Sequence, residues 1–169
     1  MKLISELKDE DVGWKSKKAE MTQRLAARAI LLKNNKIALL HVTKHGYHKL
    51  PGGGVESKES IEQALFREVL EETGCKIRII GIIGKIIEYR TQENTIQTSF
   101  CYLAEVVEEG KPKFDRGEME DGFKLEWVSA NNAIKLLEKD RPQTYDGKFI
   151  VRRDSIFIKA AKIRIGVKK

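Results

Sequence analysis

The chain has 169 residues, a net charge of +7, and 41% hydrophobic against 34% charged residues. That balance fits one globular domain able to bury its own core. It contains no apolar run near the ~20 residues of a membrane span, and its first ten residues lack a secretory pattern, so the expectation is a cytoplasmic protein with no membrane partner. Cys75 and Cys101 form neither a disulfide framework nor a CxxC pair and are read as reduced, buried thiols. The positive charge favours anionic partners. Part of it sits at the ends, in Lys15, Lys17 and Lys18 and in Lys159, Lys162, Arg164, Lys168 and Lys169, as solvated termini. The sequence shows no aromatic RNA-binding signature, zinc-finger spacing or helix-turn-helix pattern, so nucleic acid is not the expected partner.

Along the chain, residues 1–20 are polar and weakly patterned, an arm or short edge element, and residues 21–169 form the domain. The run Arg24–Leu32 reads as strand or helix. Its β-branched neighbour Lys36–Val42 favours a strand pair, with Asn34-Asn35 as the hairpin turn. Pro51-Gly52-Gly53-Gly54 interrupts regular structure. Ser60, with Gln63 three residues on, begins the clearest helix through a capping box, and Gly74 ends it. Ile77 to Ile87 and Thr95 to Val107 read as strands, the second placing Phe100, Tyr102 and Ala104 on one face and Ser99, Cys101 and Leu103 on the other. Residues 109–122 form a charged loop. Lys124–Val128 is a short strand, Ser129 or Asn131 caps a helix through Leu137, and Phe149–Ala161 is a final amphipathic helix. The whole is a mixed α/β domain.

The chemistry concentrates between Gly53 and Gly74. Glu68, Glu71 and Glu72 are spaced i, i+3, i+4 and share a helix face within an arc of roughly 100°. Leu65, Phe66, Val69 and Leu70 lie elsewhere, free to pack on the sheet. Like charges at this spacing repel, and only Arg67 or a hard divalent cation relieves them. Mg²⁺ prefers a few carboxylates, water and phosphate oxygens. Alone, such a spacing reads first as a solvated acidic face. The Gly-rich loop before it changes that reading, because glycine lets backbone approach a ligand closely.

This stretch resembles the Nudix box: Gly53, Glu59, Arg67, Glu68, Val69, Glu71, Glu72 and Gly74 stand at its fixed positions. Cys75 replaces the usual aliphatic residue, a conservative departure. Pro51, the Trp127-Val128 strand and a closing helix are also similar to this family, most of all its single-domain MutT-type members. The resemblance implies an α/β/α sandwich around a mixed β-sheet. It implies hydrolysis of a pyrophosphate bond in a nucleoside-diphosphate-linked substrate, with Mg²⁺ or Mn²⁺ as cofactor. The metal ligands would be Glu68, Glu71, Glu72 and the Gly53 carbonyl. Glu71, Glu72 and Arg67 would serve catalysis, with Glu59 in support.

In some members the general base lies beyond the box. Glu120 is the candidate here, with Glu118 beside it and Asp121 as a further choice. For substrate binding the expected residues are Arg28 (with Arg24), Tyr47 and Lys49 (with His48 between them) and Phe100 (with Tyr102). His41, His45 and His48 show no metal spacing with a carboxylate partner and are read as non-catalytic. The leading reading is cleavage of a modified or free nucleoside triphosphate to the monophosphate and pyrophosphate. The alternatives are an ADP-ribose, nucleotide-sugar or dinucleoside-polyphosphate hydrolase, an RNA 5′-end hydrolase, and a non-catalytic nucleotide sensor, whose usual sign is a degenerate box. A homodimer is compatible with the resemblance, although no surface stripe argues for one.

Overall fold

Period-two alternation places the small and branched side chains of one strand into two separate cores. Ala27, Ala29 and Leu31 pack with Ala64, Leu65 and Val69 on one face, while Ile30 packs with Phe149 and Phe157 on the other. The computed structural model describes residues 1–162, 164 and 165. Lys168 and Lys169, counted above among the terminal basic residues, lie outside the described residues. The strands are β1 (Leu3–Lys8), β2 (Thr22–Lys33), β3 (Lys36–Val42), β4 (Tyr47–Lys49), β5 (Lys76–Arg90), β6 (Thr95–Glu108) and β7 (Phe123–Ser129). The helices are α1 (Ile61–Thr73), α2 (Arg116–Glu120), α3 (Ala130–Lys139) and α4 (Tyr145–Ala161). A mixed sheet runs β1-β5-β6-β2-β3-β4, with β7 on β3. The β1–β5 and β2–β6 pairs are parallel and the others antiparallel. With α1 over one face and α3 and α4 over the other, this is the expected α/β/α sandwich. Among the described residues, no helix is long and apolar enough to cross a membrane.

One irregularity in the sheet positions the site. Asn34 and Asn35 turn the chain with positive φ, as a two-residue hairpin requires. Only Leu32↔Ile37 and Lys33↔Lys36 then join β2 to β3, and β3 continues against β7 and β4. The β2 edge that β3 vacates is taken up by the Pro-Gly loop. Ala29 N–H donates to the Pro51 carbonyl, Ala27 N–H to the Gly53 carbonyl, and Val55 N–H to the Leu25 carbonyl, each at 2.9 Å. The loop that reads in sequence as a break is therefore held as a strand substitute in the fork of the sheet.

The caps of α1 stand where the residues place them. Ser60 Oγ accepts from Gln63 N–H, the Gln63 side chain returns to Ser60 N–H, and Gly74 adopts the left-handed cap. Other boundaries differ from expectation. Tyr47–Lys49, too short to show a period, is a strand. The loop at 109–122 winds into α2, because Asp115 and Glu118 form a reciprocal capping box. Helix α4 begins at Tyr145 rather than Phe149, capped by Thr144. Residues 1–20 contain the edge strand β1 and a 3₁₀ turn at Asp9–Val12. Asp9 is buried there, accepting from Thr91 Oγ1 at 2.7 Å.

Candidate active site

Two glycines bring the loop against its neighbours. A Cβ on Gly52, which has φ +131°, would lie 2.1 Å from the Ala27 carbonyl oxygen, and one on Gly53 would lie 2.3 Å from the Glu68 carboxyl. Gly52 meets backbone and admits no side chain, whereas a side chain at Gly53 would have to displace the Glu68 carboxylate, so the backbone of the loop and that carboxylate share one small volume.

The carboxylates differ in their surroundings. Glu72 is 1% exposed and accepts from Lys49 Nζ at 2.7 Å and from Gly52 N–H at 2.6 Å. Burial pushes its carboxyl above the usual range, and the Lys49 ammonium opposes that shift. Arg67 ties helix to loop. It donates through Nε and Nη2 to both oxygens of Glu59, through Nη1 to Glu68 at 2.7 Å, and through Nη2 to the Gly54 carbonyl at 3.0 Å. Glu71, half exposed on the flank of α1, lies 3.4 Å from the same Nη1. The Arg67 hydrogen bonds hold the Glu59 carboxyl below its usual range.

Glu59, Glu68, Glu71 and Glu72 thus pair directly with two cations, Arg67 and Lys49, and Arg28 also acts on Glu72, which leaves one negative charge in excess. An oxygen-only donor set with residual negative charge fits a hard divalent cation. The Gly53 carbonyl accepts one hydrogen bond from Ala27 and keeps a second lone pair.

Beside these groups lies a cleft of about 320 Å³. Gly53, Glu68, Glu72, Lys49, Tyr47 and Glu118 line it, with Arg28 and Arg153 behind them. A larger hollow of about 580 Å³ between the Asp9–Val12 turn and α3 and α4 contains none of the box carboxylates, whereas Glu68 and Glu72 line the smaller cleft. Arg28 is buried, with Nη1 donating to the Ala27 carbonyl at 3.1 Å and Nε without a partner among the described residues. Burial, followed by repulsion from Arg153, lowers its pKa to about 10, and it stays charged at neutral pH. Behind the cleft Glu88 accepts from Arg90, Gln97 and Ser99 and faces Arg153.

The structure brings most of the expected residues together and separates others. Gly53, Glu68, Glu72, Arg28, Tyr47 and Lys49 line one cleft, although Lys49 is directed at Glu72 rather than at open space. Burial pushes the Tyr47 hydroxyl up to about 12, so it is a neutral donor. Glu120 is not in the cleft. It is exposed and paired with Arg116 at 2.9 Å, whereas Glu118 lines the cleft. Positions two apart on a helix stand roughly 200° apart, and the winding of α2 turns Glu118 inward and Glu120 outward. Burial, reinforced by the nearby Glu72 charge, raises the Glu118 carboxyl.

Phe100 is also outside the cleft. It packs in the α1-side core, while Gln97, on the opposite face of β6, lines the cleft. Sequence reasoning did not single out Arg90, Gln97, Asp146 or Arg153. The only local hint was the Arg153-Asp154 pair inside the apolar stretch Phe149–Ile158. His41 and His48 do have carboxylate neighbours, Glu126 and Asp140, which strand pairing and a helix end supply from far along the chain.

Comparison with known proteins agrees with this architecture. A family model described as NUDIX domain matches residues 22–148. Among curated proteins, diphosphoinositol polyphosphate phosphohydrolase 2 of Rattus norvegicus is 31% identical over 93 residues, covering 55% of this chain and 49% of that protein. Diphosphoinositol polyphosphate phosphohydrolase 3-beta of Bos taurus is 28% identical over 93 residues, 55% of this chain and 54% of that protein. The matched stretch therefore spans about half the length of these relatives. Among solved structures, a NUDIX hydrolase from Nitrosomonas europaea superposes with a TM-score of 0.64 at 22% identity, covering 85% of this chain and 90% of its own. An ADP-ribose pyrophosphatase from Streptococcus suis gives 0.54 at 21% identity, with 83% and 93% covered. The box on its helix, the loop in the sheet fork and a family match over most of the chain lead to one conclusion: this chain belongs to the Nudix family.

Proposed function

We propose that the protein is a Mg²⁺-dependent hydrolase of a phosphoanhydride bond in a nucleoside-diphosphate-linked substrate, with a nucleoside triphosphate, cut to the monophosphate and pyrophosphate, as the first candidate. The observation carrying this reading is the cleft in which Glu68 and Glu72, the Gly53 backbone and the Arg28 guanidinium converge. A divalent cation held by Glu68, Glu71 and Glu72 would neutralise the charge of the diphosphate and acidify water beside it. Arg67 holds Glu59, Glu68 and Glu71 in register with the loop. Arg28 offers donors to a phosphate oxygen, and Glu118, with its raised carboxyl, takes a proton from the attacking water. Positioning and electrostatics of this kind supply most phosphoryl-transfer catalysis.

A second reading has its own support. With Phe100 on the other side of the sheet, the aromatic lining of the cleft is Tyr47 and Phe123, beside Arg24 and Arg28, whose guanidiniums have no carboxylate partner among the described residues, while Arg90 and Arg153 are already paired with Glu88. That lining favours a diphosphate whose remaining part is itself anionic, and the relatives named as diphosphoinositol polyphosphate phosphohydrolases point the same way. A hydrolysis screen with Mg²⁺ separates the two, using nucleoside triphosphates, ADP-ribose, nucleotide sugars, dinucleoside polyphosphates, diphosphoinositol phosphates and 5′-triphosphate RNA, with Glu71→Gln as the control. Turnover of one class, abolished in the variant, supports the corresponding reading. Turnover that persists in the variant removes Glu71 from the metal site, and silence across the panel overturns both readings.

A further inference from the structure

On the side of β4 away from Tyr47 and Lys49, three neighbouring strands each contribute one metal-binding side chain to a single face. His41 on β3 stands opposite His48 on β4. Glu126 on β7 stands opposite Leu39, one step along the same face from His41. The ligand atoms of His41, His48 and Glu126 all lie within 4.8 Å of one another. We propose that these three residues form a second cation site, distinct from the acidic box and specific for a borderline transition ion, Zn²⁺ above all.

Four features carry this assignment. The first is spacing. His41 Nδ1 is 3.3 Å from Glu126 Oε1 and His48 Nε2 is 3.6 Å from Glu126 Oε2. Ligand atoms bound at about 2.0–2.2 Å to a tetrahedral ion stand about 3.3–3.6 Å from one another. The imidazoles are stacked with centroids 4.3 Å apart, so the partly exposed His41 ring must turn for its nitrogen to converge with that of His48 on one ion.

The second is the orientation of His48. Its ring is 8% exposed and its Nδ1 lies 3.0 Å from Asp140 Oδ2, the oxygen that also accepts from the His48 backbone N–H at 2.7 Å. Asp140 closes the C-terminal end of α3. A carboxylate on one imidazole nitrogen fixes the tautomer and leaves the other nitrogen as a lone-pair donor, the arrangement found behind metal-bound histidines. Here the free nitrogen is Nε2, the one facing Glu126.

The third is access. His41 and Glu126 are about one third exposed, at 30% and 36%, so an ion can enter and keep a water or exogenous ligand at its open position. The fourth is ligand chemistry. Two imidazoles and one carboxylate suit Zn²⁺ and its neighbours, whereas Mg²⁺ selects all-oxygen sites such as the box.

An ion here would staple β3, β4 and β7. Strand β4 is only three residues long, and its last residue, Lys49, holds Glu72. The site thus lies behind the strand that supports the box, and its assignment does not depend on the hydrolase reading.

The test is calorimetric titration of Zn²⁺ into the EDTA-treated protein in excess Mg²⁺, added to compete for the box. Wild type and Glu71→Gln should each bind one Zn²⁺ with micromolar or tighter affinity. His41→Ala, at a partly exposed position, should lose that affinity. Asp140→Asn should weaken it by about ten-fold, as loss of an orienting partner does. Co²⁺ should give the intense visible absorption of a tetrahedral nitrogen–oxygen site in wild type and not in His41→Ala. The proposal is overturned if wild type binds no Zn²⁺ under these conditions, if His41→Ala binds it as tightly as wild type, or if binding disappears in Glu71→Gln instead.

Discussion

Lys49 Nζ lies 2.7 Å from Glu72 Oε1, and Glu72 is the one box carboxylate sealed from solvent. A buried carboxylate that loses its cation is costly, so Lys49→Met should destabilise the protein by about 3 kcal/mol. Mg²⁺ should then raise the melting temperature of the variant more than that of wild type, because a cation at Glu72 restores the missing charge. Equal Mg²⁺ shifts in the two proteins would show that Glu72 takes no part in metal binding.

Arg67 serves Glu59, Glu68, Glu71 and the Gly54 carbonyl from one planar fork. A lysine keeps the charge but lacks the fork. Arg67→Lys should weaken Mg²⁺ affinity by about ten-fold, the usual consequence of losing an orienting partner, with the helical circular dichroism unchanged. Activation by Mg²⁺ at the wild-type concentration would remove Arg67 from this role.

The choice of general base separates Glu118 from Glu120. Glu118→Gln preserves the capping box with Asp115, since glutamine serves equally at that position. It should lower kcat by about a hundred-fold and erase the acid limb of the pH–rate profile. Glu120→Gln should leave both unchanged. The reverse pattern would mean that α2 reorients when substrate binds.

Glu88 makes stability depend on pH. Burial alone would raise its carboxyl, but the Arg153 and Arg90 guanidiniums outweigh burial and hold it at about 2. Its folded pKa lies below the unfolded one, so its contribution is fully present above the ordinary carboxylate range. That contribution is lost as pH falls from about 4 towards 2. Glu88→Gln should cost about 3 kcal/mol at neutral pH, leaving two buried guanidiniums without their shared carboxylate, and should flatten the acid limb of the stability curve. Urea unfolding from pH 7 to pH 3 reads both effects, and a parallel acid limb in wild type and variant would contradict the assignment.

What the amino-acid sequence determined by itself was local. The caps at Ser60 and Gly74, the Asn34-Asn35 turn and the shared face of Glu68, Glu71 and Glu72 all follow from residues within a few positions of one another. Backbone propensity and the helical period act over that range. The family resemblance was legible for the same reason, since the box is one uninterrupted stretch. Tertiary structure alone decided the rest of the site. The pairing of β2 with β6 and the early departure of β3 opened the fork that holds the glycine loop. The winding of α2 put Glu118 rather than Glu120 in the lining of the cleft, and the register of β6 turned Phe100 to the far side of the sheet. Glu88 met Arg153 across 65 positions, and His48 met Asp140 across 92. No local period encodes such contacts. They arise because a buried charge must find a partner wherever the packed chain supplies one.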